Sequence, residues 1–339
     1  MRNFISEDDI EQAILQKLEG DPFQYGILRC DPSPDKRELL PDGTGRSSKK
    51  ECVLPLILRE ALARLNPDIP GEKLEEIARD LCRDFSATDM TATNYKYYNQ
   101  IRNGIKISLR RNGKEDFDFV KLVDFDRPEN NTFTAVSQMW IQGRVYWRRP
   151  DVLIFINGLP MVFVELKNSI VKVEEAYNDN LKNYLRDIPN LFAFNQICVL
   201  SNGLETRLGA FNATYNHFFE WLKVNSEKER PDRQALKEAG TVGESSVRYF
   251  IDGLLRKDRL VDYIENFIMF RNQKNKIIAK NHQYFGVNNL MESVKNRAEL
   301  QGKLGVFWHT QGSGKSFSMV FFARKVRRKI PGNFTFLII

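Results

Sequence analysis

Pro150-Asp151 is followed, after thirteen intervening residues, by Glu165-Leu166-Lys167. Glu165 and Lys167 are two apart in a segment that reads as a strand, so they share one face of it. They follow Val162-Phe-Val164, which reads as core. A carboxylate and an ammonium in so apolar a strand either pair or do chemistry. The turn at Asn157-Gly158-Leu159-Pro160 supplies the geometry. With a three-residue loop of Asn157-Gly158-Leu159, residues 156 and 160 pair and Asp151 falls opposite Glu165. Other loop lengths move this by one residue. Two adjacent carboxylates repel, which favours a divalent cation between them. With a backbone carbonyl, that of Leu166, they suit Mg²⁺. Such a metal polarises a phosphodiester and activates water. Lys167 then positions the water or stabilises charge on the phosphorane. The competing reading is an ion pair of Glu165 or Asp151 with Lys167 at a sheet end. The β-hairpin setting favours the nuclease reading.

Neighbouring residues extend this site. A helix over 172–187 puts Asn180 and Tyr184 on one face, where they reach DNA or metal-bound water, or simply solvate the helix. Arg144, Arg148 and Arg149 flank Asp151 and suit phosphate contacts, or a solvated strand end. Glu7 and Glu11 lie one turn apart on the first helix. Either approaches the metal if that helix packs on the hairpin; a solvated helix face is the plainer reading.

A second constellation lies near the C-terminus. Leu304-Gly-Val-Phe-Trp308 reads as a strand, His309-Thr-Gln-Gly312-Ser313-Gly314-Lys315-Ser316 as a Gly-rich loop, and 315–328 as a helix. That is the setting of a phosphate-binding P-loop, with His309 at the first glycine position. Backbone N–H groups of Gly312, Ser313 and Gly314 would surround phosphates, Lys315 would reach the β/γ-phosphates, and Ser316 would face Mg²⁺. Upstream, Gln283 of His282-Gln283-Tyr284 is placed to read adenine through its amide. No acidic DExx box occurs in the 23 residues after Ser316, so this chain is not expected to turn over ATP.

The elements that must position these residues follow from the pattern. Ser6 caps a helix over 6–18, with Glu7, Asp8 and Asp9 in its first turn and Ile10, Ala13, Ile14 and Leu18 on one face. Residues 31–49 read as a long surface loop. Helices are expected at 52–65, 72–85 and 91–102. Strands follow at 105–110, 117–125 and 132–142, broken at Asn112-Gly113 and Arg127–Asn131, then at 152–156, 161–167, 194–200 and 204–211. Polar residues 225–247 read as a linker, followed by helices over about 247–270 and 284–298. Phe334–Ile339 reads as a buried strand, so the chain looks like the N-terminal part of a longer protein. The resulting organisation is an α/β nuclease domain at 1–225, a linker with connecting helices at 226–262, and the start of an ATPase domain at 263–339.

The 339 residues carry 51 Lys plus Arg against 44 Asp plus Glu, a net +7 compatible with a polyanionic partner. There is no signal region and no apolar run of membrane-spanning length, and four scattered cysteines fit reduced thiols in the cytoplasm. Three histidines far apart in sequence argue against a zinc site.

Together, Pro150-Asp151…Glu165-Leu-Lys167, His282-Gln-Tyr-Phe285 and Trp308-His-Thr-Gln-Gly-Ser-Gly-Lys-Ser316 resemble the R (restriction and motor) subunit of type I restriction–modification enzymes. Tyr98-Asn-Gln-Ile-Arg-Asn-Gly-Ile105 also looks like that family's stretch ahead of the nuclease strands. The resemblance covers essentially the whole chain. It implies a PD-(D/E)xK, RecB-like nuclease domain followed by RecA-like motor domains, of which only the start of the first is present. It implies ATP-driven translocation on double-stranded DNA, Mg²⁺-dependent cleavage, and assembly with a methyltransferase subunit and a DNA-specificity subunit. One departure is visible: RecB-like nucleases carry QxxxY after ExK, and here the position reads Asn180-Leu-Lys-Asn-Tyr184. Two readings compete with the nuclease. One is an ATP-driven helicase or translocase whose N-terminal domain is a non-cutting assembly module. The other is a nucleotide-binding assembly module with a purely structural ExK pair.

Overall fold

The computed structural model describes residues 4–111 and 114–337. The Asn112-Gly113 break and the last two residues of the expected C-terminal strand lie outside the described residues.

The first helix, α1 (Glu7–Glu19), forms where its cap dictates. Ser6 Oγ accepts from the Asp9 N–H at 3.1 Å, and the Asp9 carboxylate accepts from the Ser6 N–H at 3.0 Å. This reciprocal box satisfies two N–H groups that the helix itself leaves unpaired. Strand β1 (Gly26–Arg29) follows, then helices α2 (Pro55–Leu65), α3 (Gly71–Leu81) and α4 (Met90–Asn103). The β-rich part comprises β2 (Ile105–Arg111), β3 (Lys114–Val120), β4 (Phe133–Ser137), β5 (Ile141–Gln142), β6 (Trp147–Arg148), β7 (Val152–Ile156) and β8 (Leu159–Leu166). One continuous helix, α5, runs through Val173–Glu175, Ala176–Leu181 and Lys182–Asp187, its middle segment wound as a π-helix. Strands β9 (Ile197–Ser201), β10 (Thr206–Gly209) and β11 (Phe219–Glu220) complete the sheet. The remaining elements are α6 (Arg233–Lys237), α7 (Val247–Leu254), α8 (Lys257–Asn266), β12 (Ile268–Arg271), β13 (Asn275–Ile278), α9 (Asn281–Lys295) and α10 (Lys315–Lys329).

Seven strands form one mixed sheet in the order β1-β4-β7-β8-β9-β10-β11, while β2-β3, β5-β6 and β12-β13 are separate two-stranded ribbons. The central strands β7 and β8 are buried at every position, as a strand covered on both faces must be. Val152, Ile154 and Ile156 pack into the core shared with α1. Leu153, Phe155 and Phe163 pack into the second core, under α5. Asp151, Glu165 and Lys167 continue this second alternation at the end of both strands.

The β7–β8 turn is tighter than expected. Ile156 pairs with Leu159, so the loop is only Asn157-Gly158, with φ of 51° and 80°. Two central residues with positive φ make the hairpin turn whose twist matches its strands. Asn157 also accepts from the Thr132 N–H at 2.8 Å and donates to the Leu122 carbonyl at 2.9 Å. A bulge then restores the register expected from the sequence. Phe155 pairs with Pro160 and Ile154 with Val162, leaving Met161 as the extra residue. From there Val152 pairs with Val164, and the next cross-strand neighbours are Asp151 and Glu165.

Several expected elements are shorter or different. The strand expected at 132–142 stops at Ser137, because Gln138 takes a φ of 56°, and resumes as β5. The strand expected at 117–125 ends at Val120, and the helix at 247–270 breaks after Leu254 and gives way to β12. Residues 31–49 carry only a 3-10 turn, yet they are no mere surface loop: Arg46 is buried, paired with Asp42 at 2.6 Å and bonded to the Trp140 carbonyl at 3.1 Å. Leu304–Trp308 forms no strand; Val306 and Trp308 are 89% and 78% exposed. A strand exists only through a hydrogen-bonded neighbour, and no described strand runs beside this segment. The described part of the expected C-terminal strand, 334–337, is likewise unpaired, with Leu337 84% exposed.

The later elements share the main core. Tyr98 Oη donates to the Ile268 carbonyl at 2.6 Å. The buried Lys276 Nζ donates to Asn94 Oδ1 at 3.0 Å and to Gln196 Oε1 at 2.9 Å, and burial holds its ammonium well below the usual lysine range. Among the described residues, no helix is long and apolar enough to cross a membrane.

Candidate active site

Asp151, Glu165 and Lys167 meet at the end of β7 and β8. Asp151 Oδ2 accepts the Leu166 N–H at 2.7 Å, which pins the carboxylate to the neighbouring strand end. Glu165 is 2% exposed. Its Oε1 accepts from Asn180 Nδ2, lies 3.4 Å from Tyr184 Oη, and is 3.8 Å from Lys167 Nζ. Its Oε2 is buried and has no partner. Asn180 and Tyr184 both reach Glu165 from α5. Asn180 lies in the π-wound segment, a feature that recurs at functional sites. Tyr184 Oη also donates to the Arg149 carbonyl at 3.1 Å, tying the chain just before Asp151 to the same helix.

Two further side chains complete the site from the opposite side. Glu11 is 6% exposed, so the expectation of a solvated helix face is corrected: α1 packs on the sheet and turns this carboxylate inward. The amide of Gln138 bridges the acids, donating to Glu11 Oε2 and lying 3.4 Å from Asp151 Oδ1. The Gln138 backbone N–H donates to the Asp151 carbonyl at 3.0 Å. Gln138 carried no sequence signal, because only the folded sheet places a residue at the end of β4 beside Asp151. Glu7 stays exposed, but its charge is felt at Asp151 and Glu165.

The electrostatics follow from burial. Asp151 is pushed up to about 6 by loss of solvent, opposed by the Leu166 N–H and the Lys167 charge. Burial pushes Glu11 up to about 7, opposed by the Gln138 amide. Glu165 is raised by burial first and by the Asp151 charge second. Among the described residues, no three His, Cys, Asp or Glu side chains converge with metal-ligand spacing. The pair Asp151 and Glu165, with the unpartnered Oε2, is nevertheless short of positive charge. A hard cation completed by a backbone carbonyl suits that deficit.

A stability prediction follows. Asp151 ionises at 3.8 in ordinary surroundings and at about 6 here, a difference of about 3 kcal/mol. Below 3.8 neither folded nor unfolded chain is ionised at this position and nothing is lost. Between 3.8 and about 6 the unfolded chain ionises first, so stability falls as pH rises, and above about 6 the loss is complete. Asp151→Asn keeps an oxygen for the Leu166 N–H and removes the charge. Without divalent metal, thermal unfolding of this variant should occur several degrees above wild type at pH 8, with a smaller gap at pH 5. A lower midpoint at pH 8 would contradict the electrostatic account.

The flanking arginines have protein partners. Arg148 Nε bonds Asp187 Oδ2 at 2.8 Å, and Arg149 donates to the Pro32 carbonyl. Arg144 is exposed.

The Gly-rich loop lies elsewhere. Gly312 and Gly314 have φ of 78° and 87°, the left-handed region that glycine permits. Lys315, at the N-terminus of α10, is exposed and donates to the His309 carbonyl at 2.9 Å. Ser316 is exposed beside it. The Gln283 Nε2 donates to the Gly314 carbonyl at 2.9 Å and its oxygen accepts from the Lys280 N–H at 2.8 Å. Gln283 is 3% exposed and its amide is bonded to the protein at both ends, so it braces the loop rather than standing open to a base. His282 contacts the Ser313 carbonyl at 3.0 Å, and His309 pairs with Glu227 at 2.5 Å. Beside the loop a cleft of about 820 Å³ is lined by Arg230, Lys280, His282, Trp308, His309 and Ser313. That is within the range of nucleotide-sized pockets.

Residues 4–217 match the family described as Type I restriction enzyme R protein N terminus, and residues 282–339 match the SWI2/SNF2 ATPase family. The chain is 33% identical over 332 residues to the type I restriction enzyme HindI endonuclease subunit of Haemophilus influenzae, covering 95% of this chain and 30% of that protein. It is 29% identical over 355 residues to a Methanocaldococcus jannaschii protein named provisionally as the type I restriction enzyme MjaIXP endonuclease subunit, covering 97% and 32%. A Staphylococcus aureus relative, the type I restriction enzyme SauCOLORF180P endonuclease subunit, is 28% identical over 217 residues, covering 63% and 21%. The chain thus spans about a third or less of the length of these curated relatives.

Proposed function

This chain belongs to the type I restriction enzyme R proteins, and on that premise we propose that its Asp151–Glu165–Lys167 site is a Mg²⁺-dependent DNA endonuclease of the PD-(D/E)xK kind. Asp151, Glu165 and the Leu166 carbonyl would hold the ion. When bound, it supplies Lewis-acid polarisation of a phosphodiester and a more acidic water. The protein's own groups do the rest. Asn180 and Tyr184 orient Glu165, Gln138 and Leu166 fix Asp151, and the Lys167 ammonium stabilises negative charge gathering on the phosphoryl oxygens. The loop Gly312–Ser316 binds ATP phosphates, with Lys315 reaching the β/γ-phosphates, and supports ATP-driven movement along double-stranded DNA by the whole protein. Assembly with methyltransferase and specificity subunits belongs to the same reading.

The observation that carries it is the buried, unpartnered Glu165 Oε2 beside Asp151. A purely structural ion pair would use both carboxylate oxygens and bring Lys167 closer than 3.8 Å. That weighs against the nucleotide-binding assembly module with a purely structural ExK pair. The test is Mg²⁺ binding without nucleotide. At pH 8, adding Mg²⁺ should raise the unfolding temperature of the wild type by a few degrees and EDTA should reverse it. Asp151→Asn should abolish the response. An equal Mg²⁺ response in both proteins would place the ion elsewhere.

A further inference from the structure

Between Gln138 and Asp151 the chain makes the small β5–β6 hairpin, whose tip is Gly143-Arg144-Val145-Tyr146. The Gly143 N–H closes it onto the Tyr146 carbonyl at 2.9 Å. Val145 is 77% and Tyr146 54% exposed. Single exposed apolar residues are ordinary. Here two adjoin at a tip ringed by cations. The guanidiniums of Arg148 and Arg186 each lie 5.9 Å from the Tyr146 ring centre, Arg37 lies 5.4 Å from that of Trp147, and Arg149 lies 5.2 Å from that of Trp140. With exposed Arg144 these make five arginines; the carboxylates paired with them are Asp187 and Glu38.

The tip is rigidly placed. A Cβ on Gly143 would sit 1.9 Å from the Asp187 carbonyl oxygen, so hairpin and helix α5 are in close contact. The Gln142 N–H donates to the Lys49 carbonyl at 2.9 Å. Tyr184 holds the Arg149 carbonyl and reaches Glu165 with the same hydroxyl. Tyr146 is five residues before Asp151, at most about 18 Å of chain. A duplex with a phosphate at Asp151 therefore comes within reach of the tip.

We propose that this hairpin is a groove probe for double-stranded DNA. Val145 and Tyr146 enter a groove while the surrounding arginines contact phosphates on either side, setting which phosphodiester reaches Asp151. An apolar wedge flanked by arginines is the chemistry by which proteins enter a DNA groove. An apolar protein surface would instead strip water from the exposed Arg144 and from guanidiniums that only two carboxylates offset. The proposal rests on the nuclease reading and deepens it.

The experiment uses the complete protein in its assembled complex with ATP, carrying Lys167→Ala so that DNA is not cut. A photoreactive p-benzoylphenylalanine replaces Val145, or, as a control, exposed Leu56 on α2. After irradiation with labelled duplex DNA, label should transfer to this protein from position 145 and not from position 56. An adduct with another protein subunit alone, or no adduct, overturns the proposal. A second arm retains Lys167 and substitutes Arg144→Ala, Val145→Ser and Tyr146→Ser together. Cleavage should fall at least about tenfold and depend less steeply on salt, with ATPase unchanged. Unchanged cleavage also overturns it. Cross-linking needs no cutting, so an Asp151→Asn enzyme that still cleaves sinks the nuclease reading without touching the cross-link result.

Discussion

Lys167→Ala, made in the complete protein assembled with its partner subunits, is expected to lower DNA cleavage by about a hundredfold or more and leave ATP hydrolysis within about twofold. Removing one preorganised donor from a transition-state site costs on the order of 10²–10³ in rate. Lys167 is the cation beside the buried Glu165 and the half-buried Asp151, with its side chain 18% exposed and its Nζ 3.8 Å from Glu165 Oε1. Its backbone N–H donates to the Ser201 carbonyl at 2.8 Å, a bond that alanine keeps, so the substitution should not unravel the sheet end. Lys167→Arg should recover part of the activity, because charge survives while reach and geometry change. Cleavage retained in Lys167→Ala would move the chemistry elsewhere and leave the non-cutting module as the better reading.

Lys315→Ala is expected to give the complementary result. ATP hydrolysis should fall by about a hundredfold or more, and cleavage that depends on translocation should be lost although Asp151, Glu165 and Lys167 are untouched. The charge on Lys315 is what meets the β/γ-phosphates in a loop of this type. Its exposed side chain rests on the His309 carbonyl, a contact that a phosphate oxygen readily replaces. The substitution should leave the unfolding temperature nearly unchanged. Read together, the two variants separate the sites: Lys167→Ala loses cutting alone, Lys315→Ala loses both activities. ATPase retained in Lys315→Ala would remove the nucleotide role from this loop.

Much of the candidate site was legible in residue types and spacing. Glu165 and Lys167 share a face because side chains alternate along a strand, and that rule needs no tertiary information; Asp151 joins them only through the β7–β8 register. The Ser6 cap, the presence of a turn after Ile156 and the Gly312–Ser316 loop are likewise local, since each depends on the conformations that a few neighbouring residues permit, but the turn is two residues rather than the expected three. Leu304–Trp308 shows the limit of this reasoning. Its pattern is that of a strand, but pairing is a property of two segments, and no described strand lies beside it.

Residue types and their order reveal which groups are available: a carboxylate and a lysine on one face of a strand, a second carboxylate across the hairpin turn, and a glycine-rich loop before a helix. Their surroundings arise only on folding. The alignment of Asp151 with Glu165 comes from a two-residue turn corrected by the bulge at Met161, not from a longer loop. Burial of Glu11, its amide bridge through Gln138 to Asp151, and the unpartnered Glu165 oxygen all depend on α1, β4 and α5 converging from distant parts of the chain. Desolvation and long-range hydrogen bonding are set by what packs against a residue. Residue spacing along the chain carries no record of that.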